Sequence, residues 1–201
     1  MTKLNTDIEI DLDKVDEASS RAHAMDFPRT WLADKIEAVL KVIGEFISWI
    51  WVVLMLVIVV NVLMRYAFAT NYIWVEEAQW HMYAVGYMIG IGFTIVHDGH
   101  VRVDVLAGSF SQRTRAVIEF LGLLLLVFPL IYFMILYAIP FVERSWIRNE
   151  ASSAPGGLNH RWAIKSVILI AFTYMGFAAF ARFTRVTAFL FGFPRPFNRS
   201  A

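Results

Sequence analysis

The sequence contains no cysteine, and this absence excludes several kinds of chemistry. Without thiols the chain forms no disulfide, holds no thiolate-bound metal or iron–sulfur cluster, and supports no dithiol redox mechanism. Charge is also scarce, since only 17% of the 201 residues are charged and the formal net charge is +1. So small a net charge does not attract nucleic acid, and no nucleic-acid partner is expected.

No secretory signal peptide is expected, because no apolar core follows a basic start. Residues 1–28 are polar and acid-rich, and we expect them to form a disordered tail. The first membrane-spanning segment would then direct the chain to the membrane.

Hydrophobic residues, by contrast, make up 58% of the chain, which is too apolar for an ordinary soluble domain. A spanning helix needs about 20 apolar residues. Four stretches fit, at about 46–64, 78–96, 120–142 and 166–185. The predicted fold is an all-α membrane protein, with residues 29–201 forming a single domain of four transmembrane helices.

Two features are expected to shape the last two spans. Pro129 and Pro140 lie within the third, where proline kinks or ends a helix. Arg182 and Arg185 lie at the end of the fourth, and we expect them to snorkel to an interface.

An amphipathic helix is predicted before the first span, in "TWLADKIEAVLKVIGEF". Its apolar residues recur at helical spacing, with charged residues mostly opposite. These apolar residues are Leu32, Ile36, Val39, Leu40, Ile43 and Ile47. Such a helix either lies on the inner leaflet or docks onto a partner subunit, and the first interpretation is preferred.

The distribution of Lys and Arg predicts the orientation. With both termini on one side, that side carries thirteen of them and the other side five. The positive-inside rule then places both termini in the cytoplasm. The connector "HDGHVRVDVL" would face the cytoplasm too.

That connector contains four potential metal ligands, His97, Asp98, His100 and Asp104. Asp98 and Gly99 indicate a turn, however, and the spacing matches no known compact metal site. A b-type haem is also disfavoured, because His81 and His97 lie at opposite ends of one span. A solvated connector is therefore preferred, and no catalytic, cofactor-binding or metal-binding residue is assigned.

No Asp, Glu, Lys or Arg lies at mid-depth in the predicted spans, although such residues usually mark ion paths or substrate sites. The chain therefore resembles a helper more than a pore. Gly86 and Gly90 form a small-xxx-small pair in the second span, which favours close approach of another helix.

An ordered set of motifs sharpens this interpretation. The set is "RYAF", "WVEEAQW", "GHVRVDVL" and "RTRAVIEFLG", with "SSAPGGLNHRWAIK" before the last span. In this order, and at these helix boundaries, it resembles the small membrane subunit, DctQ-like, of tripartite ATP-independent periplasmic (TRAP) transporters. The similarity covers about residues 35–185.

The resemblance implies a complex in a bacterial or archaeal cytoplasmic (inner) membrane. A large polytopic membrane subunit would carry the substrate, an organic acid or similar solute, together with coupling sodium ions. A periplasmic binding protein would deliver the substrate. This chain, which is not expected to be an enzyme, would scaffold and anchor the large subunit within the lipid bilayer and would need no cofactor of its own.

Several residues are candidates for structural or partner contacts under this resemblance. They lie at helix ends and connectors or on the small-residue face: Arg65, Tyr66, Trp74, Glu76, Glu77, Gly86, Gly90, His100, Asp104, Trp162 and Lys165. Arg65 is expected near Glu77 across the short outer loop, where the two either pair with each other or contact a partner. His100 and Asp104 are expected to fix the cytoplasmic turn against the partner.

Two other functions were weighed against this one. The chain could be a stand-alone membrane protein such as a cytochrome-type anchor, or a small self-assembling exporter. The lack of cysteine and of charge at mid-depth disfavours both.

Overall fold

The computed structural model describes residues 27–97 and 110–195, which contain helices and no strand. The expected disorder of residues 1–28 lies almost wholly outside this part of the chain. The all-α prediction is confirmed. The helices, in chain order, are α1 (Trp31–Ser48), α2 (Ile50–Phe68), α3 (Ile73–Val96), α4 (Gln112–Gly122), a π-helical segment (Leu123–Val127), α5 (Phe128–Ile147) and α6 (Trp162–Phe191).

Local sequence explains where several of these helices begin and end. The Ser111 hydroxyl caps α4 by accepting a hydrogen bond from the Thr114 N–H at 3.2 Å. Helix α6 ends at Gly192, whose φ of 70° is the left-handed conformation that glycine adopts without strain.

The π-helical segment lies directly before Pro129. Proline has no N–H, and its ring clashes with the carbonyl four residues earlier in a regular α-helix. The wider π turn, in which the Phe128 N–H bonds the Leu123 carbonyl, accommodates this clash. The expected break at proline is therefore a local change of helix type, and Pro140 lies inside α5 without ending it.

Three helical segments of the described chain are long and apolar enough to cross a membrane. They are Trp31–Phe68, Gln112–Ile147 and Trp162–Phe191. The prediction of four spans preceded by a separate amphipathic helix is thus wrong by this measure. Helices α1 and α2 abut at Trp49, which keeps helical dihedrals, and together form one candidate span.

Helix α3, the second predicted span, is not among these candidate membrane-spanning segments, although it has 24 residues. Its polar and small residues lower its mean hydropathy below that of the other three segments. These include Gln79, His81, Tyr83, Tyr87, Gly86, Gly90 and Gly92. Only four residues connect α3 to α2, and the two helices pack against each other.

Helix α6 is the centre of the bundle, because α1, α3, α4 and α5 all pack against it. Small side chains let these neighbours approach closely, as is common where helices meet in membranes. Its buried alanines are Ala171, Ala178, Ala179, Ala181 and Ala188. Much of the remaining surface consists of exposed large apolar side chains, which suits a lipid environment.

Helix α1 packs on this bundle through one face. Leu40 and Gly44 are buried, and Ile36 and Ile47 pack against the cluster that includes Tyr174. The helix therefore docks onto its own chain, a third arrangement beside the two considered from sequence. Other positions of α1 leave large apolar residues exposed: Val39, Val42 and Phe46.

The glycines of α3 divide into tight and open positions. A Cβ on Gly92 would lie 2.4 Å from the Tyr174 ring, and one on Gly86 would lie 2.9 Å from the Trp51 ring. A Cβ on Gly90 would meet nothing within 4 Å. Of the predicted pair, Gly86 therefore permits close approach of α2, whereas Gly90 contacts no neighbour in the described chain.

We predict opposite effects of alanine at two of these positions. Gly92→Ala should lower stability by about 1–3 kcal/mol, because the buried Tyr174 ring has to move. Gly90→Ala, the matched control, should be neutral or stabilising by up to about 1 kcal/mol, since alanine favours a helix over glycine. Thermal unfolding in detergent measures both, and equal midpoints for the two variants would contradict this packing.

Candidate functional site

Two groups of polar side chains lie at opposite ends of α6. We call the end of α6 next to residues 148–161 the loop end. We call the other end, where Arg182 and Arg185 of α6 lie close to Glu119 of α4, the charged end. Between them, α6 presents only uncharged side chains over residues 166–181.

Glu77, in the first turns of α3, binds the connection between α5 and α6. The Ser152 hydroxyl donates a hydrogen bond to Glu77 Oε1, and the Leu158 N–H donates to Oε2 at 2.6 Å. Gly157 makes this contact possible, because a Cβ there would lie 2.8 Å from Oε2 and 2.6 Å from the Ser152 Cβ. The Glu77 carboxylate thus binds two separate parts of the loop, at residue 152 and at residue 158.

These hydrogen bonds also set the charge of Glu77. The bond from Ser152, followed by that from the Leu158 N–H, holds the pKa of the Glu77 carboxyl below its ordinary value. The carboxylate is therefore ionised at neutral pH. A negative charge is also favourable near the N-terminal end of α3, where the helix dipole is positive.

A second tie closes the same loop at the base of α6. Lys165 forms an ion pair with Glu150, and its ammonium lies 4.2 Å from the centroid of the Phe141 ring. The hydrogen bond from Lys165 lowers the pKa of the Glu150 carboxyl. The Trp146 and Trp162 rings also meet edge to face, with their centroids 4.4 Å apart. This ring contact joins the end of α5 directly to the start of α6.

The other predicted contact residues at this end are more exposed. The Arg65 Cζ lies 5.7 Å from the centroid of the Tyr66 ring, and Tyr66 itself is 79% exposed. Trp74 is half exposed beside the Tyr72 ring. The structure does not bring Arg65 to Glu77, since no ion pair joins them among the described residues.

Glu76 differs from its neighbour in having no hydrogen bond or ion pair within the described residues. The acidic pair thus divides into Glu77, which holds the chain's own loop, and Glu76, which is available to another molecule. The sequence motif alone treats the two as equivalent.

The charged end is built from two arginines one turn apart on α6. Arg182 forms a bidentate ion pair with Glu119 of α4, with one nitrogen–oxygen distance of 3.3 Å. Arg185 donates to Asp34 at 2.9 Å and to Glu37 at 2.7 Å, both on α1. These pairs join α6 to α4 and to α1.

The expectation that Arg182 and Arg185 snorkel to an interface is therefore replaced by ion pairing within the chain. The side chains of Arg182 and Glu119 are only 13% and 19% exposed. A signal was present in the sequence, because Asp34 and Glu37 share one helix face, as do the two arginines. Arg182, however, lies 63 positions from Glu119, and Arg185 lies 151 and 148 positions from Asp34 and Glu37.

A third contact lies between the two ends. The Tyr174 hydroxyl donates to the Leu40 carbonyl at 2.7 Å, and its ring packs on Gly92. This contact and those at the two ends join helices to one another or to the connection between them. The arrangement holds helices together and indicates a structural role. His100 and Asp104 lie outside the described residues.

The comparisons agree with this structural role. The family described as "Tripartite ATP-independent periplasmic transporters, DctQ component" matches residues 54–189, more than half of the chain. The match begins within α2 and ends within α6, so it omits α1. No curated protein matches the chain.

We predict that Glu77→Gln loosens the α5–α6 connection. The amide keeps the shape of the side chain and one acceptor oxygen, but its NH2 group cannot accept the second of the two hydrogen bonds from Ser152 and the Leu158 N–H. The substitution also removes the charge. Hydrogen exchange at the Leu158 amide should become several-fold faster. Glu76→Gln is the matched control and should leave this exchange unchanged, whereas equal exchange in both variants would contradict the assignment.

We also predict that the Arg182–Glu119 pair is coupled. Arg182→Met should lower stability by about 3–5 kcal/mol, because it leaves a poorly exposed carboxylate without its partner. Adding Glu119→Met should restore much of that loss, since two apolar side chains need no pairing. A double-mutant cycle of unfolding free energies measures the coupling. Additive effects would show that the two residues act independently.

Proposed function

Since this chain belongs to the DctQ component family of tripartite ATP-independent periplasmic transporters, we propose that it is the small membrane subunit that scaffolds and anchors a large ion-coupled membrane subunit. The family match is the observation that carries this proposal. The family is a transporter component family and not an enzyme family. Together with the three candidate spans, membership indicates a protein of the inner membrane.

The uncharged middle of the bundle supports a helper role. Helix α6 has no Asp, Glu, Lys or Arg between Lys165 and Arg182, which is a rise of roughly 25 Å in an α-helix. A solute or sodium ion crossing a membrane needs polar groups near mid-depth. We therefore assign substrate and ion binding to the large subunit, and delivery of an organic acid or similar solute to a periplasmic binding protein.

Helix α3 supports the presence of a protein partner. Beyond its first turn, its exposed side chains are three aromatic residues at helical spacing, Trp80, Tyr83 and Tyr87. The Tyr83 and Tyr87 rings stack at 6.2 Å, and neither hydroxyl has a hydrogen-bond partner in the described chain. Unpaired hydroxyls are costly in hydrocarbon. We propose that this face of α3 contacts the large subunit.

The orientation proposal also depends on α3. A connection of four residues and packing against α2 and α6 require α3 to return alongside α2. We propose that this packing, and not its own hydropathy, carries α3 across the bilayer. Both termini then lie on one side, and the distribution of Lys and Arg favours the cytoplasm. The loop end faces the periplasm, where Glu76 is available to the binding protein or the large subunit.

The absence of cysteine permits a direct test by single-cysteine cross-linking. We predict that Tyr87→Cys, alkylated with a thiol-reactive photo-cross-linker and irradiated in membranes of the native host, forms a cross-link to a large polytopic protein that also copurifies with the chain. Leu126→Cys is the matched control, because Leu126 is 71% exposed and its neighbours in the chain are aliphatic. It should face lipid and give no cross-link.

Each outcome has a separate meaning. Copurification with a cross-link from residue 126 and none from residue 87 would keep the accessory role but refute the α3 contact. Recovery of the chain alone, as a stable oligomer, would contradict the accessory role and favour a stand-alone membrane protein.

A further inference from the structure

A deep apolar groove runs between α1 and α6. Its volume is about 500 Å³, and its walls include Ile36, Val39 and Ile43 of α1 and Ile170 and Phe177 of α6. Along α1 it extends from Lys35 to Ile47, which is a length of roughly 18 Å at the α-helical rise. One leaflet of a bilayer contributes about half of its hydrocarbon core of roughly 30 Å. The groove therefore matches the depth of one leaflet.

The position of the groove exposes it to hydrocarbon. Both of its walls belong to segments that are long and apolar enough to cross a membrane, Trp31–Phe68 and Trp162–Phe191. Apart from Lys35 at one end, the polar side chains that line the groove have hydrogen-bond partners within the chain. The Thr173 hydroxyl donates to the Leu169 carbonyl at 2.7 Å, and the Tyr174 hydroxyl donates to the Leu40 carbonyl. An occupant therefore needs no hydrogen-bonding groups along the groove, as is true of a hydrocarbon chain.

One end of the groove carries a cation. Lys35 is exposed, and its ammonium lies 4.1 Å from the centroid of the Trp31 ring. The carboxylates beside it are already engaged, because Arg185 binds both Asp34 and Glu37. Lys35 has no carboxylate partner in the described chain. An exposed tryptophan beside a lysine is typical of the boundary between hydrocarbon and headgroups.

We propose that this groove is a phospholipid-binding site, in which an acyl chain lies between α1 and α6 and the lipid phosphate pairs with Lys35. The apolar walls account for the acyl chain, and the Lys35 ammonium, which has no carboxylate partner among the described residues, accounts for the phosphate. The bound lipid fills the space that the crossing of α1 over α6 leaves open. This site does not depend on which protein the chain assembles with.

The test is native mass spectrometry of the full chain, purified in detergent with any copurifying partner and titrated with palmitoyl-oleoyl phosphatidylglycerol. Lys35→Gln should weaken retention of one lipid by about tenfold, because it removes a charge-assisted contact to phosphate. Lys41→Gln is the matched control on the same helix and should retain the lipid, since Lys41 does not line the groove.

A second pair of variants tests the acyl chain. Thr173→Trp places a large side chain in the groove and should abolish retention of that lipid. Phe180→Trp adds the same residue to an exposed position of α6 that does not line the groove, and it should have no effect. Unchanged retention in both Lys35→Gln and Thr173→Trp would overturn the site.

A protein occupant is a separate outcome. If Thr173→Cys formed a cross-link to another polypeptide in native membranes, a partner helix would occupy the groove and the lipid proposal would be overturned. That result would leave the accessory role intact, whereas loss of lipid from Lys35→Gln in a chain purified alone would support the site without bearing on that role.

Discussion

The contact of Tyr174 with α1 and α3 is the interaction on which the rest of the bundle depends. Its hydroxyl bonds the Leu40 carbonyl, and its ring occupies the space that Gly92 leaves open. One side chain of α6 therefore fixes the separation of three helices. Hydrophobic burial does not drive helices together inside a membrane, so close packing and hydrogen bonds of this kind have to hold them.

The two ends of the bundle complement this central contact. At the loop end, Glu77 and Lys165 tie the α5–α6 connection to α3 and to the base of α6. At the charged end, Arg182 and Arg185 tie α6 to α4 and α1. In the described chain, polar contacts therefore lie at both ends of α6 and its middle is uncharged. This arrangement is what the proposed scaffold role requires.

The candidate site was only partly predictable from the sequence. The motif "WVEEAQW" indicated that the acidic pair is important, yet it did not show that Glu77 binds the chain's own loop and that Glu76 does not. Trp162 and Lys165 were selected because they resemble a family segment, and their partners Trp146 and Glu150 emerged only from the fold. Arg182 and Arg185 were expected to reach an interface, and their carboxylate partners on α4 and α1 emerged only from the fold. Pairing between distant positions depends on how helices cross, and a single sequence does not record that crossing.

The sequence by itself determined the all-helical class, the apolar character and the family. Each follows from composition, local periodicity and ordered motifs, which are properties of neighbouring residues. The tertiary structure decided that α1 docks on its own chain, that Gly92 and not Gly90 receives a neighbouring ring, and that α3 is accompanied by more apolar helices. These outcomes depend on which helix faces meet. The hydropathy of a helix measures its preference for lipid, whereas its place in a bundle is set by the shapes and polar groups of the helices around it.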